Sequence, residues 1–167
     1  FDFDAVWTSA LDRKLSEFSP DLVGVTCMFT MTHTSFKSVV TKIADRDFPV
    51  VAGGVHISND VNRILDDIPQ IAFAVQGEGD LAFPALLDFI NEDAGEDALG
   101  QVVMNEEQSG ARMACDTVLR PDGEDLDIIP AYELSELSDL SNKGTIGAFY
   151  CFKPKDTIFA TVLSNRG

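Results

Sequence analysis

The sequence predicts an α/β fold in which a parallel sheet lies between layers of helices. Three observations carry this expectation. Short runs at residues 21–26, Val50-Val51-Ala52 and Ile71 to Val75 read as strands, and Val50-Val51-Ala52 has the β-branched character of a strand buried on both faces. Amphipathic stretches of about 10–12 residues alternate with them, the pattern of βαβ units. The strand-like runs also end in loops rich in glycine and threonine, above all Gly53-Gly54. A strand, paired glycines and a resumed helical pattern describe a parallel strand ending at a ligand crevice. Glycine there can take φ > 0, and its missing Cβ lets a large group lie against the backbone.

Phe1 to Trp7 alternates Phe1, Phe3 and Val6 with aspartates and reads as the tail of a strand or a leading loop. Thr8 to Phe18 places Ala10, Leu11, Leu15 and Phe18 at helical spacing, and Ser19-Pro20 ends that helix. Residues 21–26 form the next strand, and Cys27 to Thr34 a polar, methionine-containing loop. Ser35 to Ala44 is a helix burying Phe36, Val39, Val40 and Ile43. After Val50-Val51-Ala52, Ser58 is the expected N-cap of a helix from about Asn59 to Asp67. Ile71 to Val75 is a strand, and Gly77 to Asp80 turns the chain into a helix from Leu81 to Asn91. These are three clear strands and a weaker one at the start. A flavodoxin-like (Rossmann-like) three-layer parallel sheet has five, so the first strand and its helix are expected to be missing upstream.

Beyond residue 92 the character changes. An acidic linker to Gly100 precedes two strands, Gln101 to Asn105 and Ala111 to Leu119, which read as a β-hairpin. Pro121-Asp122-Gly123 is a turn signal. Leu126 to Pro130 opens an extended connector, low in complexity through Leu140. Thr157 to Leu163 reads as a short strand before Ser164 to Gly167. The expected organisation is an α/β domain at 1–92, linker, hairpin and connector at 93–156, and a strand of a further domain at 157–167. A chain that starts with Phe and stops straight after a strand suggests an excised piece of something longer.

The 167 residues carry a formal net charge of −16. That argues against a nucleic-acid backbone or an anionic membrane as partner, since both need basic surface; a solvated acidic surface accounts for it. No apolar run approaches the ~20 residues of a membrane helix, and no signal peptide is evident. A cytoplasmic location is expected. Cys27, Cys115 and Cys151 lie far apart without paired spacing, so they indicate neither a disulfide framework nor a zinc site.

Ligands of an open parallel sheet lie outside the carboxyl ends of its strands. Three loops belong there: Thr26 to Thr34, Gly53 to Ser58, and Gly77 to Asp80. The first sets hydroxyls among soft apolar side chains, suited to a large ligand of mixed polarity. Gly77-x-Gly79-x-x-Ala82 resembles a dinucleotide fingerprint, but it falls late in the chain. Glu78 and Asp80 would also place negative charge where phosphates sit, so it is rejected. His33 and His56 both lie on these loops, and His56, after the paired glycines, is the better candidate. No nucleophile elbow or carboxylate–histidine metal cluster is visible. The residues support a cofactor-binding domain without a catalytic group.

Thr26-x-Met28-x-Thr30 followed one βα unit later by Gly53-Gly54 resembles the Ser-x-Leu-x-Thr and Gly-Gly pattern of cobalamin-binding domains. The strings PDLVGVT, VVAGGVHIS and VQGEGD look like the version found at the front of cobalamin-dependent radical S-adenosylmethionine enzymes. Leu126-Asp127-Ile128-Ile129-Pro130 is similar to the connector of those enzymes, and Thr161 to Gly167 to their first barrel strand. The resemblance implies that Thr26, Met28, Thr30, Gly53, Gly54 and His56 line a corrin ring or its tail. Gly77, Glu78 and Gly79 would border it. Thr and Met stand where Ser and Leu are common, and the Asp-x-His-x-x-Gly motif that supplies a cobalt ligand in many such domains does not occur.

The cofactor implied is cobalamin; S-adenosylmethionine and a 4Fe–4S cluster would belong to a radical barrel in the same parent chain. The residue after Gly167 would then be cysteine, opening CxxxCxxC. The intact protein would be a methyltransferase acting on an unactivated carbon, and the fragment alone would bind without catalysing. The alternative is a flavodoxin-like or receiver-like interaction or signalling domain without cofactor. Against a receiver, Thr26, Gly53 and Gly77 stand at the strand ends where an acidic phosphoacceptor pocket belongs. A cobalamin domain that has lost its ligand and serves as a scaffold is a third reading.

Overall fold

Each of the three clear strand-like runs forms a strand, and a helix follows each one. The computed structural model describes residues 3–106, 112–114 and 117–123. Strands β1 (Val23–Thr26), β2 (Val50–Gly53) and β3 (Ile71–Val75) are parallel neighbours in chain order. The register sets Gly24 beside Val51 and Thr26 beside Gly53. The two strands of the hairpin, β4 (Val102–Met104) and β5 (Met113–Ala114), extend the same sheet antiparallel beyond β3. Among the described residues they cover less than the expected 101–105 and 111–119. Asn105 helps hold the β3–β4 junction: its amide N–H donates to Ala72 O, and its side-chain amide donates to Pro69 O and Ile71 O, each at 3.0 Å.

The first segment departs from expectation. Residues from Phe3 onward are not a strand tail or loop but the start of helix α1 (Phe3–Phe18). Trp7, Leu11 and Leu15 recur every fourth residue, and this stripe outweighs the local Phe/Asp alternation. Leu15 enters the core while Val6 stays exposed. Helix α1 stops where expected, with Ser19 at φ 42° before Pro20.

Helix α2 (His33–Ala44) follows β1 after a single 3-10 turn at Thr30–Thr32. The helix expected from Asn59 is two pieces, α3 (Val55–Asn59) and α4 (Val61–Asp67), broken at Asp60 by an extended backbone (φ −156°, ψ 64°). Ser58 therefore lies inside α3 and caps nothing. Helix α5 (Gly79–Ile90) follows β3.

Helices cover both faces of the sheet. On one face Leu15, Phe36, Val40, Ile43, Ile57, Ile64 and Leu65 from α1 to α4 pack on Val50, Ala52, Ile71 and Ala74. On the other, Ala82 and Leu86 of α5 pack on Val51, Phe73, Val75, Val102 and Met104. This is the flavodoxin-like, Rossmann-like three-layer arrangement. Helix α5 lies against β3 and β4. Gly24 and Thr26 of β1 remain exposed, and that bare strip of sheet positions the site.

The chain divides into two units, Phe1–Asp125 and Leu126–Gly167. The expected connector, the strand at 157–163 and Cys115 and Cys151 lie outside the described residues. Among the described residues no helix is long and apolar enough to cross a membrane.

Candidate functional site

Side chains alternate along β1 and β2, so Gly24, Thr26, Val51 and Gly53 share the face that α5 covers only in part. A cleft of about 290 Å³ opens over them. Its floor is Gly24, Thr26, Val51 and Gly53 with Val75 of β3; Gly77, Gly79 and Phe83 at the start of α5 line it as well. A Cβ built on Gly53 or Gly77 would meet nothing within 4 Å, so the missing side chains leave real space. The floor is flat, mostly apolar backbone with one hydroxyl, Thr26 Oγ1. Such a surface suits a flat ring system, and the volume is far too small for a whole corrin.

The three strand-end loops are braced against one another. Cys27 N–H donates to Gly53 O at 2.8 Å, and His56 N–H donates to Cys27 O at 3.1 Å. The Ser58 hydroxyl accepts Gly77 N–H at 2.8 Å and donates to Gly54 O at 3.1 Å. Buried Gln101 on the approach to β4 donates from Nε2 to Glu78 O at 2.8 Å, and its Oε1 accepts Leu119 N–H at 2.8 Å. The sequence placed Ser58 at the end of the second loop only as a helix cap, and nothing in it marked Gln101. A Ser58→Ala variant is expected to lose about 1 kcal/mol of stability and to exchange the Gly77 amide hydrogen faster; hydrogen exchange by NMR checks it.

The paired glycines have different duties. Gly54 has φ +104°, and a Cβ there would lie 2.6 Å from Cys27 O and 2.8 Å from Thr26 Oγ1. Gly54 therefore serves the turn and the close approach of two backbones, whereas Gly53 opens the cleft.

The expected site residues divide between two places. Thr26, Gly53, Gly54, Gly77 and Gly79 line the cleft. Thr30 and His56 line a second cavity of about 430 Å³, shared with His33, Asp60, Arg63, Ile64 and Asp67. Met28, half exposed on the loop after β1, and Glu78, exposed beside the cleft, line neither.

The second cavity holds an unbroken chain of polar contacts. Thr30 Oγ1 lies 3.2 Å from His56 Nδ1, His56 Nε2 lies 2.9 Å from His33 Nδ1, and His33 Nε2 lies 2.9 Å from Asp67 Oδ2. Lys37 Nζ donates to the other Asp67 oxygen at 2.8 Å. The rings of His33 and His56 meet edge to face at 81°. Hydrogen bonds from Lys37 and then His33 hold the Asp67 carboxyl below its usual range. Desolvation lowers the His56 pKa, neighbouring His33 and Arg63 lower it further, and Asp60 opposes them. With the folded value depressed, the unfolded chain takes up that proton first. The stability His56 contributes is thus present above the ordinary imidazole pKa of 6.5 and is lost as pH falls below it. The side chains form a chain rather than a convergent cage, and among the described residues no group of His, Cys, Asp or Glu is placed to hold a metal ion.

Residues 2–87, just over half of the chain, match the family described as the B12 binding domain. Over 105 residues the chain is 28% identical to a protein named Uncharacterized methyltransferase PH0819 from Pyrococcus horikoshii. That match covers 61% of this chain and 22% of the relative, so the chain spans less than a quarter of the relative's length.

Proposed function

The chain belongs to the B12-binding domain family, and on that premise we propose that it holds cobalamin at the carboxyl ends of β1, β2 and β3. The observation that carries the reading is the glycine-floored cleft between Thr26 and Phe83, which the family match encloses. The flat base of the cobalamin tail fits this cleft, against Gly24 and Gly53, with Val51, Val75 and Phe83 excluding water. The corrin, too large to enter, would rest on the strand-end loops, where Met28, Thr30, His56 and Glu78 stand. Cobalamin, when bound, supplies a cobalt-centred methyl or radical chemistry; the protein supplies position, dryness and hydrogen bonds.

The parent protein is read as a methyltransferase whose radical S-adenosylmethionine barrel, with its 4Fe–4S cluster, follows this domain. The resemblance of residues 126–130 and 161–167 to the connector and first barrel strand supports the barrel, and the similarity to a Pyrococcus protein named a methyltransferase supports the methyl transfer.

Equilibrium dialysis against hydroxocobalamin, followed by visible absorption, tests the cobalamin reading on this chain and on its parent polypeptide. Retention with an altered spectrum is expected. No retention by either, with folding confirmed by circular dichroism, favours a cofactor-free interaction domain.

A further inference from the structure

The contacts from Thr30 to Asp67 have a direction that their acceptors dictate. An ionised carboxylate can only accept, so His33 must donate to Asp67 from Nε2. In a neutral His33 the other nitrogen, Nδ1, is then bare and can only accept, so His56 donates to it from Nε2. That leaves His56 Nδ1 bare, and the Thr30 hydroxyl donates to it. Every hydrogen bond points toward Asp67, and Thr30 offers only lone pairs to its surroundings.

We propose that Thr30, His56, His33 and Asp67 form a chain that stores one proton, and that this proton decides whether the Thr30 hydroxyl donates or accepts at the ligand side of the sheet. Uptake of one proton balances as follows. The hydrogen on His56 Nε2 passes to His33 Nδ1, making His33 an imidazolium held against the Asp67 carboxylate. His56 gains the incoming proton at Nδ1 and donates it to Thr30 Oγ1. The Thr30 hydrogen, released from His56, turns outward. No electrons move and one proton is gained. The empty chain presents an acceptor at Thr30; the loaded chain presents a donor.

The surroundings favour one proton over two. A second would place two imidazolium rings 5.1 Å apart, centre to centre, with Arg63 of α4 facing the same cavity. Asp60, before α4, faces His56 from the other sign of charge, and Lys37 of α2 holds the free oxygen of Asp67. Asp67 and Lys37 are both partly exposed, so the chain can exchange its proton with solvent at the Asp67 end as well as at Thr30.

Toward cobalamin, and resting on that reading, the switch bears on the amide fringe of the corrin, which carries both carbonyl acceptors and N–H donors. The Thr30 hydroxyl would pair with a donor when the chain is empty and with a carbonyl when it is loaded. Cobalamin affinity would then vary with pH through a single proton.

Nitrogen-15 NMR of the histidine rings in the unliganded protein tests the chain without cofactor. Between about pH 5 and pH 8, both rings are expected to begin as Nε2–H tautomers. As one proton enters, His33 becomes imidazolium while His56 converts to Nδ1–H. Two rings that protonate independently, or a His56 that is already Nδ1–H at high pH, overturn the proposal. Asp67→Asn is expected to weaken proton uptake about tenfold or more; unchanged uptake also overturns it. Thr30→Val is expected to leave the His33 titration in place and remove the pH dependence of hydroxocobalamin binding measured by dialysis. If the protein never retains hydroxocobalamin, the cofactor reading fails while the NMR result still decides the chain.

Discussion

Gly53→Leu is expected to weaken cobalamin binding about a hundredfold or more while leaving the domain folded. The cleft over β1 and β2 exists because Gly24 and Gly53 put no atoms on its floor, and the position a Gly53 Cβ would take is empty to 4 Å. Gly53 is the last residue of β2, and its φ lies outside the left-handed region, so a side chain meets no backbone strain. Leucine would fill the space that a flat ring needs. Each factor of ten in affinity corresponds to about 1.4 kcal/mol, and crowding a packed site by several methyl groups costs about 1–3 kcal/mol, more when the ligand cannot shift. Dialysis with hydroxocobalamin, paired with thermal melting, reads both sides. Undiminished affinity in a folded Gly53→Leu protein places the ligand outside the cleft.

The adjacent substitution, Gly54→Val, is expected to do the reverse and strike the fold itself. A β-branched residue at φ +104° is heavily strained. Its Cβ would also press on the Cys27 carbonyl at 2.6 Å, and that oxygen is backbone with little freedom to move. The same carbonyl accepts His56 N–H, so relieving the contact breaks a brace between two loops. Strain and clash together are expected to cost about 3 kcal/mol or more. That equals the truncation of a fully buried core side chain such as Leu65→Ala, about 2–5 kcal/mol. Urea denaturation of the two variants side by side measures it. A Gly54→Val protein as stable as the wild type would show that the loops can part without cost.

Much of this fold was legible in the chain because two of its strands, β2 and β3, are buried on both faces. Val50, Val51 and Ala52, and all of Ile71 to Val75, must be apolar whichever way they point, so continuous runs mark them. The loops that end these strands could be named in advance for the same reason: topology alone puts them on one side. The helix expected over Thr8 to Phe18 forms, and only its start departs, at Phe3 rather than Thr8, where two periodicities compete. Phe1, Phe3 and Val6 alternate with aspartates, yet the helical stripe wins because Leu15 enters the core and Leu11 packs against it. Ser58 looked like a cap because it precedes a helical pattern. Helix α3 instead begins at Val55, immediately after the left-handed Gly54.

The sequence by itself determined which residues leave the strand ends and that glycines stand among them. It could not show that these residues serve two separate places. That depends on which part of the sheet α5 covers: the helix packs over β3 and β4 and leaves the glycines of β1 and β2 bare. Nor could any local pattern join His33 to His56, 23 positions away, or to Asp67, 34 positions away. Each of the three is unremarkable beside its sequence neighbours. They meet because α2, α3 and α4 pack on the same face of the sheet, and a hydrogen-bonded chain needs positions held to a few tenths of an ångström, which packed helices supply and spacing along a chain does not.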